Sequence, residues 1–499
     1  MTDDAGERGR IAAAHAVRRS RAGRPTRADA AYLVYVGLLV AAIAGVPVVR
    51  TIVLALATPE AFDALTRPET ARIVGALGGL LWIGALALGR VRGPIAPPPF
   101  AAAVLGHSDI SPRRAWARTL TRVSVGTMLI SAAVAVLAVS GLLANGVHVE
   151  RCIAFVAGCA LLALPAVAIW LAGQVLGRRG AGTLAVVLGA HLIAVLAGVP
   201  RLPASALASL WDGSGGPLGL VALGIAAIAA VAMLPLLLAR LLPETVETHA
   251  NRWEAMSVLA ATGDLAGAAD RTRPLPTSGR RLRIAMRRPL MFAVLQRDAI
   301  GSARTPLRLA VALVTLGLTG AGWAWLSGLV GGPVRVAAIG IGLIAFLAVG
   351  ALMDGSREAA DAAGRPALHG RPPARMLLLH LSWPWLCAIV IPTTVALPAG
   401  GDVGAVVAVF GAVLVAVRAY DTTKGPLPIE LMMPVPTPAG DASAIGIWLW
   451  QSDALLWTAA LSFGASVAIA AGPLALVWSA VALVALAALT VGRLRRASA

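Results

Sequence analysis

The chain has 499 residues, of which 58% are hydrophobic and 13% charged, with a formal net charge of +18. Its mean hydropathy of +0.81 is more than a water-soluble chain of this length hides, so lipid is part of its solvent. The 41 Arg and one Lys (Lys424) are spread over seven segments rather than gathered in one domain, which argues against nucleic acid and for contact with anionic lipid head groups.

Seven Arg precede residue 28. The apolar run after them is too long for a secretory leader and lacks a small-residue cleavage site, so 1–29 reads as a retained cytoplasmic tail with a basic amphipathic helix. Twelve apolar runs follow: 30–57, 71–89, 123–144, 152–176, 183–199, 218–239, 309–330, 334–353, 376–398, 403–417, 445–471 and 474–492. Most approach the ~20 residues that a helix needs to cross a hydrocarbon core. With the N-terminus in the cytoplasm, 36 of the 42 Lys and Arg fall in cytoplasmic segments; five lie outside or at the outer ends of runs (Arg67, Arg72, Arg151, Arg201 and Arg335), and Arg50 lies within the first run. That bias predicts a multi-pass protein of the plasma (cell inner) membrane with both termini cytoplasmic. The expected fold is an all-α, polytopic integral membrane protein with about 12 transmembrane helices.

Six runs lie in 30–241 and six in 307–499, separated by the longest polar segment, 242–306. Both halves open on a basic stretch with spaced apolar residues, then a proline, then the membrane: HAVRRSRAGRPTRADAAYLVYVG (15–37) and AVLQRDAIGSARTPLRLAVALVTLG (293–317). After the second run of each half come VLGHSDISPRRAWARTL (104–120) and ALHGRPPARMLLLHL (367–381). The pattern predicts a duplication, and an even number of runs per half makes the two halves parallel. Within 242–306, one helix is expected over 244–270, a proline break over 272–279, and an amphipathic helix over 281–300 that lies on the inner leaflet or simply connects the halves.

Catalytic and ligand motifs are missing from the sequence. Lys424 stands in YDTTKGPLP without the glycine-rich frame that cradles phosphate. There is no HExxH, no paired-Cys motif and no GxSxG, and the seven His have no metal-ligand spacing. No cofactor is expected. Cys152, Cys159 and Cys387 lie in apolar runs and read as small packing residues. Polar residues within the runs are candidates for function. Arg50 is close enough to the outer loop to snorkel. His191 either faces a cavity or packs between helices, and Gln174 is expected at the interface. Asp453 either lies a third of the way into a run or ends a surface helix over 441–453; the flanking Trp448, Trp450 and Trp457 favour the surface helix.

The loops are more specific. Segment 94–122 starts with a stiff PIAPPPF and continues into HSDISPRRAWARTLTR, where Ser108 or Asp109 can cap a helix that Pro112 opens. A second proline-rich stretch, GPLPIELMMPVPTPAGDAS (425–443), separates runs ten and eleven. Rigid loops of this kind either dock another protein or only connect helices.

Together these features resemble the membrane-spanning permease subunits of type-2 ABC exporters. VLQRDAIGSARTPLRL (294–309) is similar to the lead-in of such a domain, and LPIELMMPVPTPAGDAS (427–443) resembles loops of the large actinobacterial kind, here with two units fused in one chain. The resemblance implies pre-span helices at 11–29 and 287–304. It also implies coupling segments near 104–118 and 367–378 that dock a separate cytoplasmic ATPase subunit, with Asp109, Arg113, Arg114, Arg371 and Arg375 as candidate docking residues. It leaves room for an additional membrane subunit or a homodimer. Two other classes compete. A secondary transporter of the major facilitator type also has 12 spans in parallel halves, and EAADAAGRPA (358–367) matches its signature in part through Asp361, Gly364 and Arg365. A membrane-embedded transferase would use acids in the first external loop, here Glu60, Asp63 and Glu69. A scaffold or immunity-type membrane protein is the remaining reading.

Overall fold

A computed structural model describes residues 6, 9–13, 16–17, 26–200, 202–261, 276, 278–279, 281–283, 289–328, 332–364, 370–425, 427–433, 436–437, 440–441, 443–472 and 477–498. The described residues form two compact units, the first reaching Ala260 and the second holding the residues from 276 on. Ten described helices are long and apolar enough to cross a membrane, and an eleventh is added if one pair bent by 68° counts as a single span. The protein is therefore an all-α polytopic membrane protein. The expected twelfth span, 474–492, corresponds to a helix over Val477–Ser498, and residues 473–476 before it lie outside the described residues.

In the first unit, α1 (Arg27–Val40) passes through a π-turn at Ala41–Gly45 into α2 (Val46–Leu56). The short α3 (Pro59–Thr66) leads to α4 (Pro68–Val91), α5 (Pro99–Gly106) and α6 (Pro112–Ala144). Then follow α7 (Val149–Val175), α8 (Arg178–Leu196), α9 (Pro203–Asp212), α10 (Gly216–Ala239) and α11 (Pro243–Ala261). Proline opens many of these helices, where its missing N–H costs nothing. The spans are α1–α2, α4, α6, α7, α8 and α10, and α7 is the central one, packed against α4, α6 and α10.

The second unit contains α12 (Leu290–Ala303), α13 (Pro306–Ser327), α14 (Gly332–Gly350), α15 (Asp354–Asp361), α16 (Pro373–His380) and α17 (Ser382–Ala396). It continues with α18 (Gly401–Thr422), the one-turn α19 (Ile429–Met432), α20 (Ser443–Ala471) and α21 (Val477–Ser498). Two-residue strands β1 (Pro436–Thr437) and β2 (Gly440–Asp441) pair antiparallel between α19 and α20. The fourth span is again central: α18 is buried along most of its length against α14, α17, α20 and α21.

Within each unit, the first span packs on the third, the second on the fourth and fifth, and the fourth on the third and sixth. An eight-residue helix follows the second span in both, α5 in one and α15 in the other. This recurrence supports the duplication expected from the loops. Two expectations need correction. The helix expected at 281–300 is described from Leu290: residues 281–283 are not helical, 284–288 lie outside the described residues, and Pro289 offers no N–H to a preceding turn and takes an extended ψ of 143°. The surface helix favoured for 441–453 is not separate: α20 runs unbroken from Ser443, and Asp453 lies inside it.

Close approach of spans depends on glycine, since lipid supplies no hydrophobic drive to bring helices together. A Cβ on Gly89 of α4 would lie 2.2 Å from the Trp170 carbonyl oxygen of α7, and one on Gly411 of α18 would lie 2.2 Å from that of Ala388 on α17. Gly89→Leu is expected to cost ~1–3 kcal/mol or to displace α4 from α7. Gly84→Leu, with nothing within 4 Å of the added Cβ, is expected to be neutral; thermal unfolding in detergent separates the two.

Candidate functional site

In both units the polar side chains converge at the arginine-rich end, around the turn after the second span. In the first unit, α4 stops at an extended Arg92. Pro97–Pro99 hold the chain out of helix until Pro99 opens α5. This turn is deeply fixed. Gly93 N–H donates to Nδ1 of His249 on α11 (3.1 Å). Gln174 on α7 brackets the fully buried Ile95: its Oε1 accepts from the Ile95 N–H at 3.3 Å and its Nε2 donates to the Ile95 carbonyl at 2.8 Å. Trp170 Nε1 donates to the Arg92 carbonyl (2.6 Å), and Arg252 donates to the Val91 carbonyl (3.3 Å). The Arg92 guanidinium lies 3.5 Å over the Trp253 ring. The turn's backbone polar groups thus find partners on two neighbouring helices.

Beyond α5, His107 pairs with Glu247 at 2.9 Å. Asp109 does not cap a helix. Both of its oxygens accept from Arg10, at 2.7 and 2.8 Å, and this hydrogen-bonded guanidinium holds its carboxyl below the usual carboxylate range. Ser108 instead donates to the Leu105 carbonyl and accepts from the Ile110 N–H. Ser111 precedes Pro112 at the start of α6, with Arg113 and Arg114 exposed on its first turn.

The second unit builds its turn from ions. Asp298 on α12 and His380 on α16 pair at 2.7 Å with side chains only 5% and 3% exposed. Arg297 lies 3.4 Å from the other imidazole nitrogen and also pairs with Glu358 on α15. One tautomer satisfies both contacts: Nδ1–H donates to Asp298 and Nε2 accepts from Arg297. Ser356 Oγ donates to the His380 carbonyl (3.2 Å). A Cβ on Gly355 would fall 2.4 Å from Asp298 Oδ1, so glycine lets α15 reach the carboxylate. Arg308 on α13 forks onto Asp354 at 2.6 and 3.1 Å, and Trp383 Nε1 donates to Ser302 Oγ (3.0 Å). Arg371 and Arg375 are exposed at the start of α16.

A third cluster joins α18, α20 and α21. Asp453 pairs with Lys424, accepts from Tyr420 Oη at 2.8 Å, and has Arg493 at 3.4 Å. Arg493 also donates to Tyr420 Oη (2.7 Å). The deeper Arg418 donates to the Phe346 carbonyl (2.8 Å) and pairs with Asp421 (3.0 Å). Of the other intramembrane candidates, Arg50 is exposed on α2. His191 stacks on Trp82 at 5.2 Å, and its enclosed Nε2 has no hydrogen-bond partner among the described residues.

Within each unit, then, the candidate docking residues lie after the second span, Asp109, Arg113 and Arg114 in the first and Arg371 and Arg375 in the second, with residues 365–369 outside the described residues. Sequence reasoning missed His249, Asp298 and His380 and expected Gln174 at the interface, where it is instead buried against Ile95; the partners of these four lie 79–156 residues away. Among the described residues no group of three His, Cys, Asp or Glu is placed to hold a metal ion. The chain matches no known protein family model, no curated protein and no solved structure.

Two outcomes follow. Removing one partner of the buried pair, as in Asp298→Ala, is expected to cost ~3–5 kcal/mol, and the double change Asp298→Leu with His380→Leu less than either single change; a double-mutant cycle of unfolding midpoints checks this. His249 is pushed down from 6.5 to about 4, first by burial and then by Arg252 and Arg90. The unfolded chain therefore takes up a proton below 6.5 that the folded chain resists, and stability falls with pH between 6.5 and about 4. His249→Gln should flatten that slope in melts recorded at stepped pH.

Proposed function

We infer that the chain is the permease subunit of an ATP-driven exporter in the cell inner membrane, with both termini cytoplasmic and a separate ATPase subunit supplying the energy. The observation that carries this reading is the ion pair that ties each pre-span segment to the turn after the second span, Arg10 to Asp109 in one unit and Arg297 to Glu358 in the other. A push on either turn is transmitted to the pre-span segment and so to the first span, which is the two-state element that ATP binding would bias. The exposed Arg113, Arg114, Arg371 and Arg375 stand near these turns. The distribution of 36 of 42 basic residues to one side supports the orientation.

A secondary transporter is the second reading, favoured by the buried, protonatable Asp298–His380 couple. Its partial signature rests on Arg365, which lies outside the described residues.

Purification of the native complex in mild detergent tests the first reading. A stoichiometric ATPase is expected to co-purify and to be lost when Arg113, Arg114, Arg371 and Arg375 are changed to Glu. Transport by the chain alone, in vesicles energised only by a proton or sodium gradient, would sink it.

A further inference from the structure

Between their fourth and fifth spans the two units differ. In the first, α7 ends at Val175 and α8 starts at Arg178. In the second, α18 ends at Thr422 and α20 starts at Ser443, and the connection carries α19. That helix packs on the start of α20, where a Cβ on Gly446 would lie 3.4 Å from Leu431 Cδ2. The two elements present Ile429, Met432, Met433, Ile445, Trp448 and Leu449, each between 47% and 76% exposed. On α20 the last three recur at helical spacing and share one face.

The Asp453 cluster sets the depth of this surface. Asp453 is level with Lys424, just past the end of α18, and with Arg493 near the end of α21. From Asp453 to Ala471, α20 rises ~28 Å, about the thickness of a hydrocarbon core. With Asp453 at the edge of that core, the part of α20 before it, from Ser443, extends up to ~15 Å beyond, and its exposed apolar face is not spent on lipid tails. Head groups do not fit it either. Residues 425–452 contain no Lys or Arg and carry Glu430 and Asp441, within a chain of net charge +18. An anionic leaflet attracts the Arg-rich segments elsewhere in the chain and repels this one. An apolar protein groove with a basic rim matches it in both hydrophobicity and sign, and methionine repacks readily against such a groove.

We propose that Ile429, Met432, Met433 and the Ile445–Trp448–Leu449 face form a docking surface for a soluble protein with an apolar, basic-rimmed groove, engaged by the second unit alone. The Asp453 cluster pins the base of the surface, so binding orders little that is not already ordered. The proposal goes beyond the exporter reading and does not need the partner to be the ATPase.

The test uses the full chain in its native membrane with a benzophenone amino acid at position 432 in place of Met432, and mass spectrometry of the adducts. The expected adduct is one soluble protein. That protein, purified, should bind the full chain in nanodiscs. Ile429→Asp with Met432→Asp should weaken Kd ~ten-fold or more, and Glu430→Arg should weaken it measurably, with thermal melts of both variants unchanged. Adducts confined to lipid, to a second copy or to the first unit of the same chain would overturn the proposal, as would no adduct or a Kd indifferent to Glu430→Arg. A partner without ATPase activity upholds this surface and not the exporter reading. An ATPase whose Kd is untouched by the changes on α19 upholds the exporter reading and removes this one.

Discussion

The governing constraint is that no water reaches the hydrocarbon core, so every polar group there must find a partner inside the protein or move to an end. Most polar side chains of both units meet it, and the enclosed His191 Nε2 is an exception. The middle of each unit is a set of spans meeting through Ala, Gly, Leu and Val, while many side chains with hydrogen-bonding demands collect at the ends, as around Ile95 and Asp298 at one end and around Trp211 at the other. The fourth span occupies the centre of both units, and its small residues are among those that allow close approach. Gly173 of α7 accepts α4, and Gly411 of α18 accepts α17, with backbone nearly touching backbone.

The turn after the second span meets the same constraint by two routes. In the first unit the solution is mostly neutral: Gln174 and His249 supply side-chain hydrogen bonds to a buried, non-helical stretch of backbone. His249 must stay uncharged to accept from Gly93. In the second unit the solution is ionic, with Asp298, His380, Arg297 and Glu358 in one contiguous set. A neutral network tolerates salt and depends on backbone geometry. An ionic one depends on each charge keeping its partner, because a lone buried carboxylate is far worse than a well-packed apolar pair.

Hydropathy made the spans legible, since a run of about 20 apolar residues has few alternatives to a membrane helix. Ends were legible where proline marks them, as at Pro112, Pro306 and Pro373, but Pro289 shows the same rule overlooked: the Arg-apolar alternation of 281–300 suggested a longer helix than proline permits. The bend of 68° after Gly350 was not readable, because Ala351–Met353 are apolar and continue the hydropathy of α14. The polar clusters were least legible of all. Nothing local in QRDAIG announces that Asp298 will be buried against His380. Only the packing of α12 on α16 and α17 creates that environment. Asp453 was a partial success, singled out as a carboxylate of uncertain depth. Its partners are Lys424 and Arg493, on elements that no span pattern places beside it.

The single lysine among 41 arginines fits this picture. Arg418 and Arg493 each spread the guanidinium group over a ring and more than one acceptor, Arg418 over Phe346 and Arg493 over Tyr420. Lys424 has a narrower place, with Asp453 on one side and the Trp450 ring 4.7 Å away on another. A compact ammonium satisfies one carboxylate oxygen there without the flat fork that a guanidinium would have to accommodate. The side chain that departs from the chain's arginine habit thus stands where the connection to α20 begins, and fixes the level from which that connection projects.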